Sequence, residues 1–204
     1  IIIFILTLAT LWAIRSNTKS SIKSENKFSI EDTSIITKIF LADRNGNTLK
    51  LNKENEKWKV NNQYDVRPDA IEMLLSSASK IRIKKPVPKA ALENVIKFMA
   101  TTGVYIEFFE KDKMIKSYMI GSNTPDHLGT YMLLIGKDKP FVMHIPHFNG
   151  FLSPRYGIQL NAIDLNHWRS TNIFSLSSDS VHYLKYTNLQ LPENSFTICT
   201  NPIK

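Results

Sequence analysis

A chain of 204 residues with 43% hydrophobic content can bury the core of one domain of ordinary size with a smaller element beside it, which excludes a disordered chain. Its one cysteine, Cys199, excludes an intrachain disulfide and any multi-cysteine zinc or iron–sulfur site. The excess of 26 Lys and Arg over 18 Asp and Glu, a formal net charge of +8, favours anionic surroundings without choosing among lipid headgroups, an acidic partner and nucleic acid.

The chain opens on an uncharged run, Ile1 to Ile14, that ends at Arg15. As a helix it covers about 21 Å, short of the roughly 30 Å hydrocarbon core of a bilayer. It begins in mid-run without an initiator methionine, so we read it as the distal part of a single transmembrane helix, truncated at its start. Trp12 suits an interfacial anchor, and Arg15 and Lys19 suit a collar at headgroup level. A cleaved signal peptide fits less well, because no small-x-small cleavage site ends the run. The alternative of a buried core helix stays open at this length. Residues 15–27, RSNTKSSIKSENK, read as a polar tether between membrane and domain. The cations Arg15, Lys19, Lys23 and Lys27 taken alone favour a cytoplasmic side for the domain beyond them.

Folded structure is expected from Phe28 to residue 173. Ile35–Leu41 and Thr48–Leu51 flank the turn signal Asp43-Arg44-Asn45-Gly46-Asn47 and predict a hairpin, with a third strand at Lys57–Val60. A first helix starts at Arg67-Pro68-Asp69 and buries Ile71, Leu74, Leu75 and Ala78. A second runs from Pro88 to Thr101, buries Leu92, Val95, Ile96 and Met99, and stops at Gly103. Between them lies a basic strand in which alternation sets Ile81 and Ile83 on one face and Arg82 and Lys84 on the other; Lys80, Arg82, Lys84 and Lys85 form a basic patch. No aromatic residues interleave these cations, which argues against nucleic acid. Four more strands, Val104–Glu110, Met114–Ile120, Thr130–Ile135 and Phe141–Ile145, complete an α+β domain with a mostly antiparallel sheet and two amphipathic helices. Residues 174–204 echo the start of the domain. Phe174-Ser175-Leu176 matches Phe28-Ser29-Ile30, and Val181, Leu184 and Tyr186 match Ile36, Ile39 and Leu41, so this stretch is the start of a second repeat or a set of added strands.

The stretch GSNTPDHLGTY, Gly121 to Tyr131, holds the ingredients of nucleophilic or metal-assisted chemistry. Ser122 lies in no G-x-S-x-G elbow and stands only five positions from His127, and Pro125 with the two glycines suits a strand connection. A hairpin centred on Asp138 brings Asp126, His127 and His147 together, the one arrangement here that suits a ligand or metal-type group. Neither HExxH spacing nor a phosphate loop nor a dinucleotide fingerprint is present, so no metal and no cofactor is expected. Two aromatic–basic clusters, Pro154-Arg155-Tyr156 and His167-Trp168-Arg169, suit packing or partner contact.

Several stretches taken together, ITKIFLADRNGNTLKL, EKWKVN, RPDAIEMLL, PVPKAALENVI, TPDHLGTYMLL, FVMHIPHFNGFLSPRY and HWRSTNIFS, resemble a domain family of unknown function. Its members occur in membrane-anchored envelope proteins of Bacteroidota, and related domains occur in auxiliary subunits of gliding-motility-type ABC transporters. The resemblance runs from Phe28 to Phe174, and Tyr131, Trp168 and Arg169 lie in its most specific parts. It carries over no catalytic residue. It implies one N-terminal membrane helix, an inner-membrane location, a periplasmic domain and membership of an envelope assembly, and it outweighs the charge argument on orientation, since long domains translocate largely regardless of flanking charge. The expectation is a non-enzymatic accessory subunit that contacts lipid through its helix and binds other envelope proteins. The alternatives are a periplasmic ligand-binding or hydrolytic domain using Asp126, His127 and His147, and a cytoplasm-facing domain that sets Lys80–Lys85 on anionic lipid.

Overall fold

The computed structural model describes residues 27–172, 176 and 180–199. The transmembrane helix and most of the tether expected at 1–27 lie outside the described residues. Among the described residues no helix is long and apolar enough to cross a membrane. The chain divides into two units, one ending at Ser170 and one beginning at Thr171.

The first unit is α+β, built on a nine-stranded antiparallel sheet. In chain order its elements are β1 (Lys38–Ala42), β2 (Thr48–Glu54), β3 (Lys57–Val60), β4 (Tyr64–Asp65), helix α1 (Pro68–Lys80), β5 (Arg82–Pro86), helix α2 (Lys89–Thr102), β6 (Val104–Glu110), β7 (Lys113–Asn123), β8 (Thr130–Leu134) and β9 (Phe141–His144). The sheet order is β4-β3-β2-β1-β6-β7-β8-β9-β5. Helix α1 therefore carries the chain from one edge of the sheet to the other, and α2 returns it to the middle. After β9 come a 3-10 turn at Ser153–Tyr156, the short pair β10 (Ile158–Gln159) and β11 (Ala162–Ile163), and one helical turn, α3 (Leu165–Trp168).

Alternation along the strands divides the apolar residues between two faces. Ile39 and Leu41 of β1, Leu49 and Leu51 of β2, Ile106 and Phe108 of β6, Tyr118 of β7 and Met132 of β8 join one large core. Helix α1 covers it with Ala70, Ile71, Leu74 and Ala78, and the segment after β9 fills the remainder with Leu152, Tyr156, Ile158 and Trp168. On the opposite face Val95 and Met99 of α2 pack with Val87 and Val142, flanked by Met119, Tyr131 and Leu133. The buried stripe of α2 is narrower than expected, since Ile96 is 39% exposed. The apolar patch under α2 is confined to β7, β8 and β9, and Ile96 faces away from it. The basic strand also departs from its expected alternation. Ile81 is buried, but it caps α1 rather than lying in β5, and Ile83 is 37% exposed. A bulge between Ile83 and Lys85 interrupts pairing with β9, and β5 is an edge strand with all five residues exposed.

Polar anchors hold this frame. Asp43 in the first hairpin accepts bonds from the backbone N–H groups of Asn45 and Asn47, from the Asn47 side chain and from the Ile163 N–H, joining the turn to β11. Burial opposes ionisation of Asp43, but these donors prevail and hold its carboxyl below the ordinary value. The buried Thr130 hydroxyl accepts the Leu152 N–H at 2.7 Å. Arg155 Nε donates to Ser77 Oγ of α1 at 2.7 Å, fixing the 3-10 turn against that helix.

The second unit pairs β12 (Tyr183–Tyr186) with β13 (Phe196–Cys199) as an antiparallel hairpin, with a 3-10 turn at Pro192–Asn194 between them. Tyr186 and Phe196 stack at 5.2 Å, and every residue of both strands is exposed. This is the strand–turn–strand order that also opens the first unit.

The hydroxyls of Tyr118 and Tyr156 meet at 3.0 Å in the large core, both rings fully buried. Removing one hydroxyl leaves the other without its partner. Tyr156→Phe is expected to lower unfolding free energy by about 1–3 kcal/mol, while Tyr118→Phe combined with Tyr156→Phe restores most of the loss. Urea denaturation of the three variants measures both effects.

Candidate functional site

The segment from Gly121 to Tyr131 is a strand connection whose side chains are spent on its own backbone. Strand β7 extends to Asn123 and pairs it with Thr130, leaving residues 124–129 to turn. The Thr124 N–H bonds the Gly129 carbonyl at 2.9 Å, and the His127 N–H bonds the Thr124 carbonyl at 2.8 Å. The Asp126 carboxylate accepts from the Thr124 hydroxyl and from the Leu128 N–H, the pattern of an Asx turn. The Thr124 hydroxyl, then the Leu128 N–H, then the charges of Lys84 and Lys85 hold the Asp126 carboxyl below its ordinary value. His127 Nδ1 is engaged with the Asn123 side-chain amide, and its ring stands 6.0 Å from Phe151. Gly129 is needed for close approach: an added Cβ meets Val142 at 2.6 Å.

The expected convergence of Asp126, His127 and His147 rests on a hairpin centre that the sheet does not adopt. The observed pairs, Thr130 with Met143, Tyr131 with Val142 and Met132 with Phe141, centre the hairpin between Gly136 and Lys137, not on Asp138. Gly136 takes a left-handed conformation, φ +83°, and the Lys137 N–H bonds the Leu134 carbonyl, so the chain reverses earlier. His147 sits in a separate turn, φ +64°, closed by the Phe148 N–H on the Ile145 carbonyl. Among the described residues no group of three or more His, Cys, Asp and Glu side chains could hold a metal ion.

The fold does join this loop to the basic patch. Strand β5 lies beside β9, pairing Arg82 with His144 and Lys85 with Val142, and Lys84 Nζ donates to the Leu128 carbonyl at 2.9 Å. Burial, then the Lys84 charge, lowers the pKa of His144. Arg82 turns back on α1, donating to the carbonyls of Ser79 and Ile81. Lys80 ends α1 and is exposed.

The remaining aromatic and basic candidates make contacts within the domain. Tyr131 packs under α2. The Arg155 guanidinium lies 5.0 Å from the Phe148 ring centre. Trp168 is fully buried; its carbonyl accepts the Arg67 N–H at 2.8 Å, and Arg169 bridges to Val66 and stacks over Tyr64 at 5.0 Å. This clamp closes the short edge strand β4. His167 crosses the Trp168 ring edge-on at 5.0 Å, and among the described residues His167 Nε2 and Trp168 Nε1 are buried side-chain atoms without a hydrogen-bond partner. Burial first, and the Arg67 charge second, outweigh Asp164 and Asp69 and lower the pKa of His167.

The feature that residue motifs did not single out is an uncovered stretch of sheet. Helix α2 packs on β7, β8 and β9, and none of the described helices of this unit packs on the same face over β1, β2 and β6. There Lys38, Phe40, Lys50, Asn52, Asn62, Glu107 and Phe109 line a shallow cleft of about 480 Å³. The registers explain the grouping, since Lys38 stands between Asn52 and Phe109, and Phe40 between Lys50 and Glu107. Lys38 Nζ lies 4.4 Å from the Phe109 ring centre, the Glu107 carboxylate accepts from the Tyr105 hydroxyl at 2.8 Å, and Asn52 donates to Asn62 at 2.7 Å. The available signal was polar alternation on three separate strands, which a solvated face shares.

No protein-family model, no curated protein and no solved structure matches this chain.

The Trp168 clamp generates two expected outcomes. Gly157 has φ +66°, and an added Cβ meets Trp168 Nε1 at 2.6 Å, so Gly157→Ala is expected to cost about 2–4 kcal/mol, read as a lowered thermal midpoint. The lowered pKa of His167 favours the neutral ring in the folded state. Its contribution to stability is therefore complete above the unfolded value of 6.5 and declines as pH falls below it. Thermal midpoints measured between about pH 8 and pH 5 should fall toward the acid side, with a shallower slope in His167→Gln.

Proposed function

We propose that this chain is a non-enzymatic, membrane-anchored accessory subunit whose domain docks partner proteins of an envelope complex, such as a transporter or a secretion or motility machine. In this reading residues 1–14 end a single inner-membrane helix, residues 15–27 are the tether, and the domain lies on the periplasmic side. The reading draws its location from the apolar N-terminal run and from the resemblance to the Bacteroidota envelope domain.

The observation that carries the docking role is the open half of one sheet face. Phe40 and Phe109 are half-buried there among Lys38, Lys50, Asn52 and Glu107. An aromatic floor with separated polar groups of both signs suits a protein surface, where aromatic anchors supply area and charged groups set register. Catalysis has less support. The Asp126 carboxylate and the Thr124 hydroxyl serve the turn, and Asp43 serves a hairpin.

Site-specific photo-crosslinking in cells tests the reading. A crosslinker in place of Lys50 or Asn52 is expected to yield discrete adducts with a fixed set of envelope proteins, while one in place of Glu72, exposed on α1, yields none of them. Lys50→Glu should reduce copurification of the same species by about tenfold, the effect of one contact worth roughly 1.4 kcal/mol. A protein that purifies alone from solubilised membranes, without adducts at the open face, overturns the proposal.

A further inference from the structure

Strand β5 is a poor place to leave charge without purpose. All five of its residues are exposed, and it carries Arg82, Lys84 and Lys85 between Lys80 at the end of α1 and Lys89 at the start of α2. No Asp or Glu occurs in the sequence between Glu72 and Glu93. The Arg82 and Lys84 head groups rest on backbone carbonyls, not on carboxylates, so their charge is not neutralised there. The acid that reaches this edge is Asp126, whose carboxylate feels both Lys84 and Lys85. Pro86 lacks an N–H, and the bulge between Ile83 and Lys85 interrupts the ladder, so the edge is badly suited to receive another strand.

The same edge lies where the N-terminal segment joins the domain. The Phe28 ring stands 6.2 Å from that of Phe141, and Phe141 pairs with Pro86, the last residue of β5. Two residues on, the Ile30 N–H bonds the carbonyl of Ala78, one turn before the start of β5. Lys116 Nζ holds the Lys27 carbonyl at 2.7 Å, so the junction is fixed to the domain. Residues 15–26 separate this junction from the apolar run in sequence, and twelve residues reach at most about 40 Å. With the run in a bilayer, the junction and its neighbouring cations stay tethered near the headgroups.

We propose that the cationic edge of Lys80, Arg82, Lys84, Lys85 and Lys89 lies against anionic lipid headgroups of the membrane that anchors the chain. The proposal rests on the membrane-anchor reading above and goes beyond it by fixing which side of the domain faces the bilayer. The open face over β1, β2 and β6 lies in the middle of the sheet order, with three strands between it and β5, which leaves it available to a partner.

The test uses the full chain carrying Cys199→Ser and Ile83→Cys, with a donor dye on the new thiol of the exposed edge. It is incorporated into vesicles of neutral phosphatidylcholine, or of the same lipid with about one quarter phosphatidylglycerol, each with a trace of acceptor-labelled lipid. Energy transfer is expected to rise at least about twofold in the anionic vesicles and to return to the neutral level near 1 M salt, where the Debye length is about 3 Å. It should also return to that level with Arg82→Glu, Lys84→Glu and Lys85→Glu together, or halve its rise with Lys85→Glu alone if the triple variant melts early. Flotation with both vesicle types but equal transfer in each overturns this proposal alone, and is also the result if the edge takes an acidic protein instead. Failure to float with either type overturns the anchor reading and this proposal with it.

Discussion

The arrangement depends on one helix crossing one sheet. Helix α1 leaves β4 at one edge and delivers the chain to β5 at the other, burying Ala70, Ile71, Leu74 and Ala78 on the face between. Thirteen helical residues extend about 20 Å, while nine strands laid flat span about 38 Å. A single core joins Val60 of β3 to Met143 of β9, and the face it covers is wider than α1 can fill. Tyr156, Ile158 and Trp168 from the segment after β9 complete it, and the Tyr118–Tyr156 hydroxyl pair satisfies two polar groups buried there.

The opposite side is left asymmetric by the same topology. Among the described helices α2 is the one that covers it, and α2 enters beside β5 and exits into β6, so its apolar stripe rests on β7, β8 and β9. Strands β1, β2 and β6 keep an exposed face on which Lys38, Phe40, Lys50, Glu107 and Phe109 come together. The cationic edge of β5 lies three strands away from this face, beside β9 and the Asx turn at Asp126, so the two surfaces are distinct in chemistry and in place.

Much of the fold was legible in the residues. The Asp43–Asn47 turn signal, the proline-led start of α1 and the Gly103 stop of α2 all mark elements where they occur. These signals are local, resting on backbone conformations that a few residues decide. The short helix at Leu165–Trp168 was not legible, because one turn carries no periodicity. Ile96 reads as a core residue from spacing, and Ile83 as sharing a face with Ile81 from alternation, yet Ile81 is buried while Ile83 and Ile96 are exposed. Periodicity reports which residues share a face, and only the neighbouring elements decide whether that face is covered.

The sequence by itself determined the α+β class, the order of the longer strands and the two long helices, the cationic character of Lys80–Lys85 and the turn chemistry of Gly121–Tyr131, since each stems from composition and short-range stereochemistry. Tertiary structure decided which of these meet. It placed β5 beside β9, so that Lys84 reaches the Leu128 carbonyl, and it set β1 between β2 and β6, so that an open cleft forms. It also moved the β8–β9 hairpin centre to Gly136 and Lys137, and it put Asp126 and His127 in one turn and His147 in another, each closed by its own backbone bonds. Strand pairing is chosen by burial of whole faces across the sheet, and that choice involves residues far apart in the chain.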